Sequence, residues 1–240
     1  MFVRGETVTK KILIIIPARN ESKSIRSVVC NIQKNCPWAD YIVINDESFD
    51  NTLEILTENG IPHLNPPINL GIGGAVQLGY QYALRNHYDI AVQVDGDGQH
   101  DASYIRDLIE PIERGSADIV VGSRYMTKEG FQSSRLRRLG SRWISLLIWL
   151  CCGYRPTDPT SGFRAVNKKW IKIYAKKYPA DYPEPEALLY ARLENAAIEE
   201  VSVLMKARQG GHSSINVVNS IYYMMKVSFA IIILRCGGGV

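Results

Sequence analysis

Residues 90–100 read Ile90-Ala91-Val92-Gln93-Val94-Asp95-Gly96-Asp97-Gly98-Gln99-His100. A mostly apolar run ends there in two carboxylates one residue apart. Such a run, bounded by glycine, indicates a buried β-strand. Ligands bind at the carboxyl ends of the strands in an open α/β sheet, so we expect Asp95 and Asp97 to lie where a ligand would bind.

The two carboxylates predict a metal site. Side chains at positions i and i+2 of an extended segment point the same way, so Asp95 and Asp97 are expected to share a face. Paired carboxylates suit Mg²⁺ or Mn²⁺, either of which can hold a diphosphate. The simplest alternative is a solvated Asp-Gly turn. A calcium-binding loop is excluded by its spacing, since the sixth position from Asp95 is His100 and the twelfth is Arg106.

Composition indicates an ordinary globular protein. The chain has 240 residues, of which 46% are hydrophobic and 22% are charged, enough for one well-buried domain with an appendage. The net charge of +4 is unevenly spread. Four arginines crowd beside an apolar segment, which favours anionic lipid or phosphate over nucleic acid as a partner: Arg135, Arg137, Arg138 and Arg142. No nucleic-acid-binding motif occurs, and we expect no nucleic-acid partner.

Cysteine usage indicates a reducing compartment. The five cysteines include no C-x-x-C pair, so neither a disulfide framework nor a zinc site is expected. The N-terminus lacks the basic-then-apolar layout of a secretory signal. We therefore expect a cytoplasmic protein.

Strand-like and helix-like segments alternate about four times in the first 120 residues. The predicted strands cover 11–16, 41–45, 61–65, the run that begins at residue 90, and 119–121. The predicted helices cover 23–35, about 51–59, 71–84 and 102–113. This alternation predicts an α/β fold with a mostly parallel sheet covered by helices on both faces.

The second half of the chain contains two segments suited to a membrane surface. Residues 138–152 are too short and too basic to span a bilayer but suit its interface, with Trp143 and Trp149 as interfacial aromatics. The alternative is a core helix whose arginines extend to solvent. Residues 215–234 predict a helix with a narrow polar stripe, which would lie on a membrane or against a partner: Asn216, Asn219, Ser220, Tyr223 and Lys226. We accordingly divide the chain into a domain at 1–214 and an interfacial or dimerisation helix at 215–240.

Between these segments we predict a helix at 168–176, a helix at 187–195 and a strand at 198–204. The sequence Tyr182-Pro183-Glu184-Pro185-Glu186 is expected to precede the second helix.

Common phosphate-binding motifs are absent. Gly71, Gly73 and Gly74 do not complete G-x-G-x-x-G because residue 76 is Val, and no G-x-x-x-x-G-K-[ST] occurs. These glycines could still let a backbone approach an anion at a helix start, or they could form a plain turn.

Six short motifs in a fixed order resemble the inverting family 2 glycosyltransferases. Within that family the resemblance is to the branch of dolichol-phosphate mannose synthase and bacterial polyprenyl-phosphate sugar transferases, and it runs from about residue 12 to 230. The motifs are Pro17-Ala18-Arg19-Asn20-Glu21, Asn45-Asp46-Glu47-Ser48-Phe49-Asp50-Asn51-Thr52, Asn69-Leu70-Gly71-Ile72-Gly73, Asp95-Gly96-Asp97-Gly98-Gln99, Gly122-Ser123-Arg124 and Ser161-Gly162-Phe163-Arg164.

The resemblance implies a GT-A fold, a nucleotide-sugar donor and a divalent metal, Mg²⁺ or Mn²⁺. By this resemblance Asp97 and Gln99 would hold the metal. The implied nucleotide-binding residues are Pro17, Ala18, Arg19, Glu21, Asp46, Gly71 and Asp95. The second motif departs from the family's usual Asp-Asp-Gly-Ser, so the nucleotide is not inferred from it.

The chemistry of sugar transfer suggests roles for further residues. Negative charge builds on the leaving diphosphate, and Arg208 is the candidate residue to bind it. A hydroxyl acceptor needs a general base, for which Glu186 is the candidate and Glu184 the alternative, unless Glu186 only serves the helix dipole. A lipid-phosphate acceptor is already ionised and needs no base. Arg124, Arg138 and Ser141 would then bind it.

The leading hypothesis is a membrane-associated glycosyltransferase at the inner face of the cell membrane, acting on a polyprenyl-phosphate or lipid-linked glycan. One alternative is an enzyme that extends a cell-wall or capsular polysaccharide, with residues 215–234 as a homo-oligomer contact. Another is a non-catalytic nucleotide-sugar-binding subunit. The presence of Asp95, Asp97, Glu186 and Arg208 together argues against the last.

Overall fold

The computed structural model describes residues 10–127, 135–206 and 217–237, with side chains described over 10–127, 138–206 and 222–237. Its centre is a seven-stranded sheet with strand order β3-β2-β1-β4-β6-β5-β7. The strands are β1 Ile12–Ala18, β2 Asp40–Asn45, β3 His63–Leu64, β4 Ile90–Gln93, β5 Ile119–Ser123, β6 Arg164–Asn167 and β7 Ile198–Ser202.

Helices connect and cover these strands. They are α1 Ile25–Asn35, α2 Thr52–Glu58, α3 Gly71–Arg85, α4 Ile105–Arg114, α5 Arg135–Cys152, α6 Lys168–Lys176, α7 Pro183–Leu193 and α8 Val217–Cys236. A single 3₁₀ turn, Ala102–Tyr104, precedes α4. The predicted alternation of strands and helices is confirmed.

The sheet is mostly parallel, as predicted, with one exception. Strand β6 lies between β4 and β5 and runs antiparallel to both. Sequence analysis did not predict this strand. It places Arg164 opposite Gln93, at the end of the sheet where β4 stops.

Strand β1 is buried along its whole length, which explains its unbroken apolar sequence. Ile12, Ile14 and Ile16 pack in the layer that contains α1 and α4. Leu13 and Ile15 face the opposite layer, built by α3, α6 and α7. Full burial of each such side chain contributes roughly 1.5–3 kcal/mol.

Helix α3 lies unusually close to β1. A Cβ at Gly79 would lie 2.2 Å from Cγ2 of Ile15, so only glycine permits this approach.

A third hydrophobic cluster joins α5, α7 and α8 beside the sheet. Its buried members are Ile144, Ile148, Leu189, Val227 and Ile231. Trp143 Nε1 also donates to Ser228 Oγ at 3.0 Å, which ties α5 to α8. Within the described ranges, none of the helices has the length and apolarity needed to cross a membrane.

Candidate functional site

The carboxyl ends of β1, β2 and β4 are joined by backbone hydrogen bonds. The Asp46 amide donates to Ala18 O at 2.9 Å, and the Gly96 amide donates to Pro17 O at 3.2 Å. The Leu70 amide donates to Asp46 Oδ1 at 2.6 Å, which ties the start of α3 to the same edge. Four of the six sequence motifs, those that contain Pro17, Asp46, Leu70 and Asp95, are therefore joined here.

Hydrogen bonds join the loops that follow β1 and β2. The Asn20 amide donates to Ser48 Oγ, and Asn20 Oδ1 accepts from the Phe49 amide. Asn20 has φ 58° and Glu47 has φ 54°, both in the left-handed region. Glu47 stands where the related motif usually has glycine, the residue that adopts this conformation at least cost. The departure in sequence is thus accommodated by the backbone.

Arg19 and Glu21 occupy opposite environments. Arg19 is exposed, and its guanidinium lies over the Phe49 ring, 5.3 Å from the centroid. Glu21 is buried, and Oε2 accepts from Ser24 Oγ at 2.7 Å. Arg19 is therefore placed to meet a ligand, whereas Glu21 orders the start of α1. Nucleotide binding by either residue remains a prediction.

The Asp95–His100 segment departs from the predicted geometry. Strand β4 ends at Gln93, and Gly96 and Asp97 form a turn, so strand alternation does not align Asp95 with Asp97. Asp97 Oδ1 instead accepts from the Gln99 amide at 3.0 Å. The Asp95 amide donates to His100 Nδ1 at 3.0 Å. The expectation of an extended segment was wrong, because the two glycines favour a turn.

The loop before β6 packs against this turn. A Cβ at Gly162 would lie 2.9 Å from both Asp95 Oδ2 and Gln93 Nε2. Gln93 Nε2 donates to Asp95 Oδ1 at 3.1 Å. Arg164, which is buried, donates to the backbone oxygens of Ser161, Glu184 and Pro159. The Ser161–Arg164 motif therefore links the Asp95 turn to the first turn of α7.

Helix α7 begins earlier than predicted. It starts at Pro183, so Glu184 and Glu186 lie in its first turn and not before it. Proline is tolerated there because first-turn amides need no intrahelical partner. A Cβ at Gly73 would lie 2.1 Å from Pro179 O, so the start of α3 packs on the segment leading into α7.

The two glutamates differ in their charged neighbours. Burial raises the pKa of Glu184; Asp95 raises it further, while Arg164 and Arg124 oppose the shift. Burial raises the pKa of Glu186 to about 7, with contributions from Asp181 and Glu184. Glu184 is thus the one near Asp95, whereas Glu186 has a pKa suited to proton transfer near neutral pH. Which glutamate reacts remains a prediction.

Arg124 is held by a carboxylate that sequence analysis missed. Its Nε and Nη2 donate to Asp158 Oδ2 and Oδ1 at 2.6 and 2.7 Å, and Nη2 also donates to Thr160 Oγ1. Asp158 is fully buried and sustains a high pKa of Arg124. The available signal was only its position three residues before Ser161. Acceptor binding by Arg124 remains a prediction.

Arg138 and Ser141 lie one turn apart on α5. Arg138 is half-buried, whereas Ser141 is buried and its Oγ finds no hydrogen-bond partner among the described residues. One turn further on, Ser145 Oγ donates to Pro156 O at 2.5 Å, next to the loop that carries Asp158. This hydrogen bond therefore fixes α5 beside the loop whose Asp158 binds Arg124.

The donor atoms partly fit a divalent metal. Asp95 and Asp97 supply the hard oxygens that Mg²⁺ or Mn²⁺ prefers. No cluster of three or more His, Cys, Asp or Glu side chains suited to a metal occurs over 10–127, 138–206 and 222–237. Gln99 Nε2 donates to Lys206 O at 3.3 Å. A metal here would therefore depend on ligand phosphates for further oxygens, as Mg²⁺ commonly does. Arg208 lies outside the described residues.

Comparisons with known proteins support a single family. The family model described as Glycosyl transferase family 2 matches residues 13–174. The chain is 34% identical over 214 residues to UDP-N-acetylglucosamine–dolichyl-phosphate N-acetylglucosaminyltransferase of Methanococcus voltae, covering 81% of this chain and 85% of that protein. It is 29% identical over 168 residues to undecaprenyl-phosphate mannosyltransferase of Micrococcus luteus, covering 68% of each.

A solved structure confirms the fold. Glucosyl-3-phosphoglycerate synthase from Mycobacterium tuberculosis, in complex with Mn²⁺, uridine diphosphate and glucosyl-3-phosphoglycerate, aligns with a TM-score of 0.74. The alignment covers 95% of this chain and 80% of that one at 20% identity. At this identity the likeness speaks for the fold, and the GT-A architecture expected from the motifs is confirmed.

Proposed function

The chain belongs to glycosyl transferase family 2, and on that premise we propose that it moves one sugar from a nucleotide-diphosphate donor to a polyprenyl phosphate with inversion at the anomeric carbon. A phosphate oxygen of the acceptor forms the new bond to that carbon as the bond to the donor diphosphate breaks. The nucleoside diphosphate leaves.

The proposed donor site lies at the edge of the sheet where β1, β2 and β4 end. Backbone hydrogen bonds pair Asp46 with Ala18 and Gly96 with Pro17 at this edge of the sheet. Gly71, at the start of α3, has φ 70° and follows the Leu70 amide that Asp46 binds. Amides at a helix N-terminus favour anionic groups such as a diphosphate. We assign base and ribose contacts to the β1 and β2 loops, and the diphosphate to the Asp95–Gln99 turn.

Asp97, with Asp95 and Gln99 beside it, would hold Mg²⁺ or Mn²⁺. When bound, such an ion offsets the negative charge that develops on the leaving diphosphate. The Mn²⁺ and uridine diphosphate named in the M. tuberculosis structure support this assignment. We place Arg208 as a further positive group at the leaving diphosphate.

The relatives' names support the acceptor. The M. voltae enzyme is named for dolichyl phosphate and the M. luteus enzyme for undecaprenyl phosphate. We assign the acceptor phosphate to Arg124, whose charge Asp158 partly offsets, and to Arg138. The buried Ser141 Oγ, unpaired within the described part of the chain, offers a donor. A phosphate is already ionised, so this acceptor requires no general base.

We further propose that α5 and α8 dock on the inner face of the cell membrane. Both helices lack Asp and Glu, and together they carry several basic residues. Their exposed apolar side chains are Leu139, Trp143, Trp149, Leu150, Tyr222, Met225, Phe229, Ile232 and Ile233. Of the predicted polar stripe, Tyr223 packs edge-on against Tyr182 and Lys226 is exposed, whereas the side chains of Asn216, Asn219 and Ser220 lie outside the described residues. Apolar area combined with positive charge suits an anionic leaflet better than a second copy of this chain.

Substitution of Asp97 tests the donor site. Asp97→Asn should retain the fold and lose the metal-dependent part of nucleotide affinity, because one of two nearby carboxylates is neutralised. Calorimetry with nucleoside diphosphate, with and without Mn²⁺, measures this. Asp107→Asn, an exposed change on α4, is the matched control and should bind like the wild type. Equal affinity and equal metal dependence in Asp97→Asn would remove the metal assignment.

A further inference from the structure

We propose that His100 is a positioning residue that holds the Asp95–Gln99 turn in its binding geometry. This inference rests on the proposed function, since it concerns the turn assigned to metal and diphosphate. His100 itself is almost completely buried, with 3% of its side chain exposed, so its role is to order Asp95 and not to contact ligand.

The hydrogen bonding of the ring defines one tautomer. Nδ1 accepts from the Asp95 amide at 3.0 Å, so Nδ1 carries no proton in this arrangement. The proton then resides on Nε2, which lies 3.7 Å from Asp95 Oδ2. One imidazole thereby faces both the backbone and the carboxylate of Asp95. His100, which directly follows the turn, thereby bonds back to its first residue, Asp95.

The ring is fixed in turn by two other motifs. It stacks on Phe163 with centroids 4.7 Å apart and planes 12° from parallel. Phe163 is fully buried and lies against Gly122, where a Cβ would approach its Cδ1 to 3.1 Å. Ser161 Oγ donates to Gly122 O at 2.6 Å and locks this contact. The Gly122 and Ser161–Arg164 motifs thus serve as the support on which His100 rests.

A second set of hydrogen bonds, through Gln99 and Lys206, fixes Asp97. Its Oδ1 accepts from the Gln99 amide, and Gln99 O accepts from the Lys206 amide at 2.9 Å. With the Asp95 amide bound to the ring and Gln99 bound to Lys206, the turn is held at both ends. The acid-bearing residues are consequently ordered before any ligand arrives, which lowers the entropy cost of binding.

Three variants separate positioning from simple packing. His100→Asn supplies an amide oxygen near the place of Nδ1 and should keep the bond from the Asp95 amide. His100→Gln supplies its polar group near the place of Nε2 instead and should leave that amide unpaired. His100→Leu removes both. Ile109→Ala, a core truncation on α4, is the control for lost stability alone.

We expect calorimetry with nucleoside diphosphate and Mn²⁺ to show at least tenfold weaker binding for His100→Leu and His100→Gln. His100→Asn should stay within about threefold of the wild type, and Ile109→Ala should bind normally despite a lower unfolding midpoint. The Asn and Gln variants carry the test if His100→Leu does not fold. Equal affinity in all three variants, or equal loss in Asn and Gln, would overturn the inference. If the wild type itself shows no Mn²⁺-dependent binding of nucleoside diphosphate, the proposed function is rejected instead.

Discussion

At the residue scale, Glu186 in the first turn of α7 makes the stability of the protein depend on pH. Glu186 has a pKa raised to about 7 by burial, Asp181 and Glu184. The unfolded chain has the ordinary carboxyl pKa of 4.5, so the stabilisation from holding this proton is complete below 4.5 and is lost as pH rises through about 7. Glutamine does not titrate, so the Glu186→Gln variant should not lose this stability as the pH rises.

Glu186→Gln should therefore unfold at a higher temperature than the wild type at pH 8 and at a similar temperature at pH 4. Its turnover on polyprenyl phosphate should fall by less than about tenfold, because general-base catalysis, commonly worth 10²–10⁴-fold, is not needed by an ionised acceptor. Thermal unfolding and steady-state kinetics measure the two effects. A turnover loss of 10²-fold or more would identify Glu186 as an essential base and contradict the phosphate-acceptor mechanism.

Residue types were easier to predict than their partners. Asp95 and Asp97 were identifiable because an apolar strand ends in two acids, yet the turn at Gly96 changed how they are presented. Asp158 and His100 carried no comparable signal. Their roles depend on contacts with Arg124 and Phe163, which lie 34 and 63 residues away along the chain. Such pairings arise only from tertiary structure.

At the scale of elements, local pattern predicted most of the fold. The buried face of α1 is the one that its periodicity indicated: Ile25, Val28, Val29 and Ile32. Strand β6 was missed because Arg164-Ala165-Val166-Asn167 is short and begins with a charged residue. Arg164 can be buried because three backbone carbonyl oxygens accept hydrogen bonds from its guanidinium.

The docking surface on α5 and α8 gives a prediction at this scale. Phe229→Ser combined with Ile233→Ser replaces two side chains that are 61% and 67% exposed, so the fold should be retained. The variant should no longer float with anionic vesicles at low salt, whereas the wild type should float and be released partly by salt, which screens the basic residues. Nucleotide binding should not change.

Trp38→Ser provides the matched control, since Trp38 is also an exposed aromatic but lies between α1 and β2. It should float like the wild type. A wild-type chain that stays in the soluble fraction, with a double variant that changes only from dimer to monomer, would make this surface an oligomer contact and contradict membrane docking.

At the scale of the whole molecule, three groups of contacts connect the strand ends of β1, β2 and β4 to the helices beside the sheet. The junction of β1, β2 and β4 presents the proposed donor site, and the Arg164 network links it to the glutamates of α7. Helix α7 also packs with α5 and α8 in one hydrophobic cluster. A lipid-borne phosphate held at α5 would therefore approach the donor site while the apolar helices rest on the membrane.

The most direct measurement is transfer of sugar to lipid. The protein is incubated with Mn²⁺, polyprenyl phosphate in vesicles and a panel of labelled UDP-, GDP- and dTDP-sugars. We predict label in the extracted lipid for at least one donor, matched by release of nucleoside diphosphate, and no lipid label with Asp97→Asn. Transfer only to a soluble glycan, or no transfer from any donor to which the protein binds, would contradict the account.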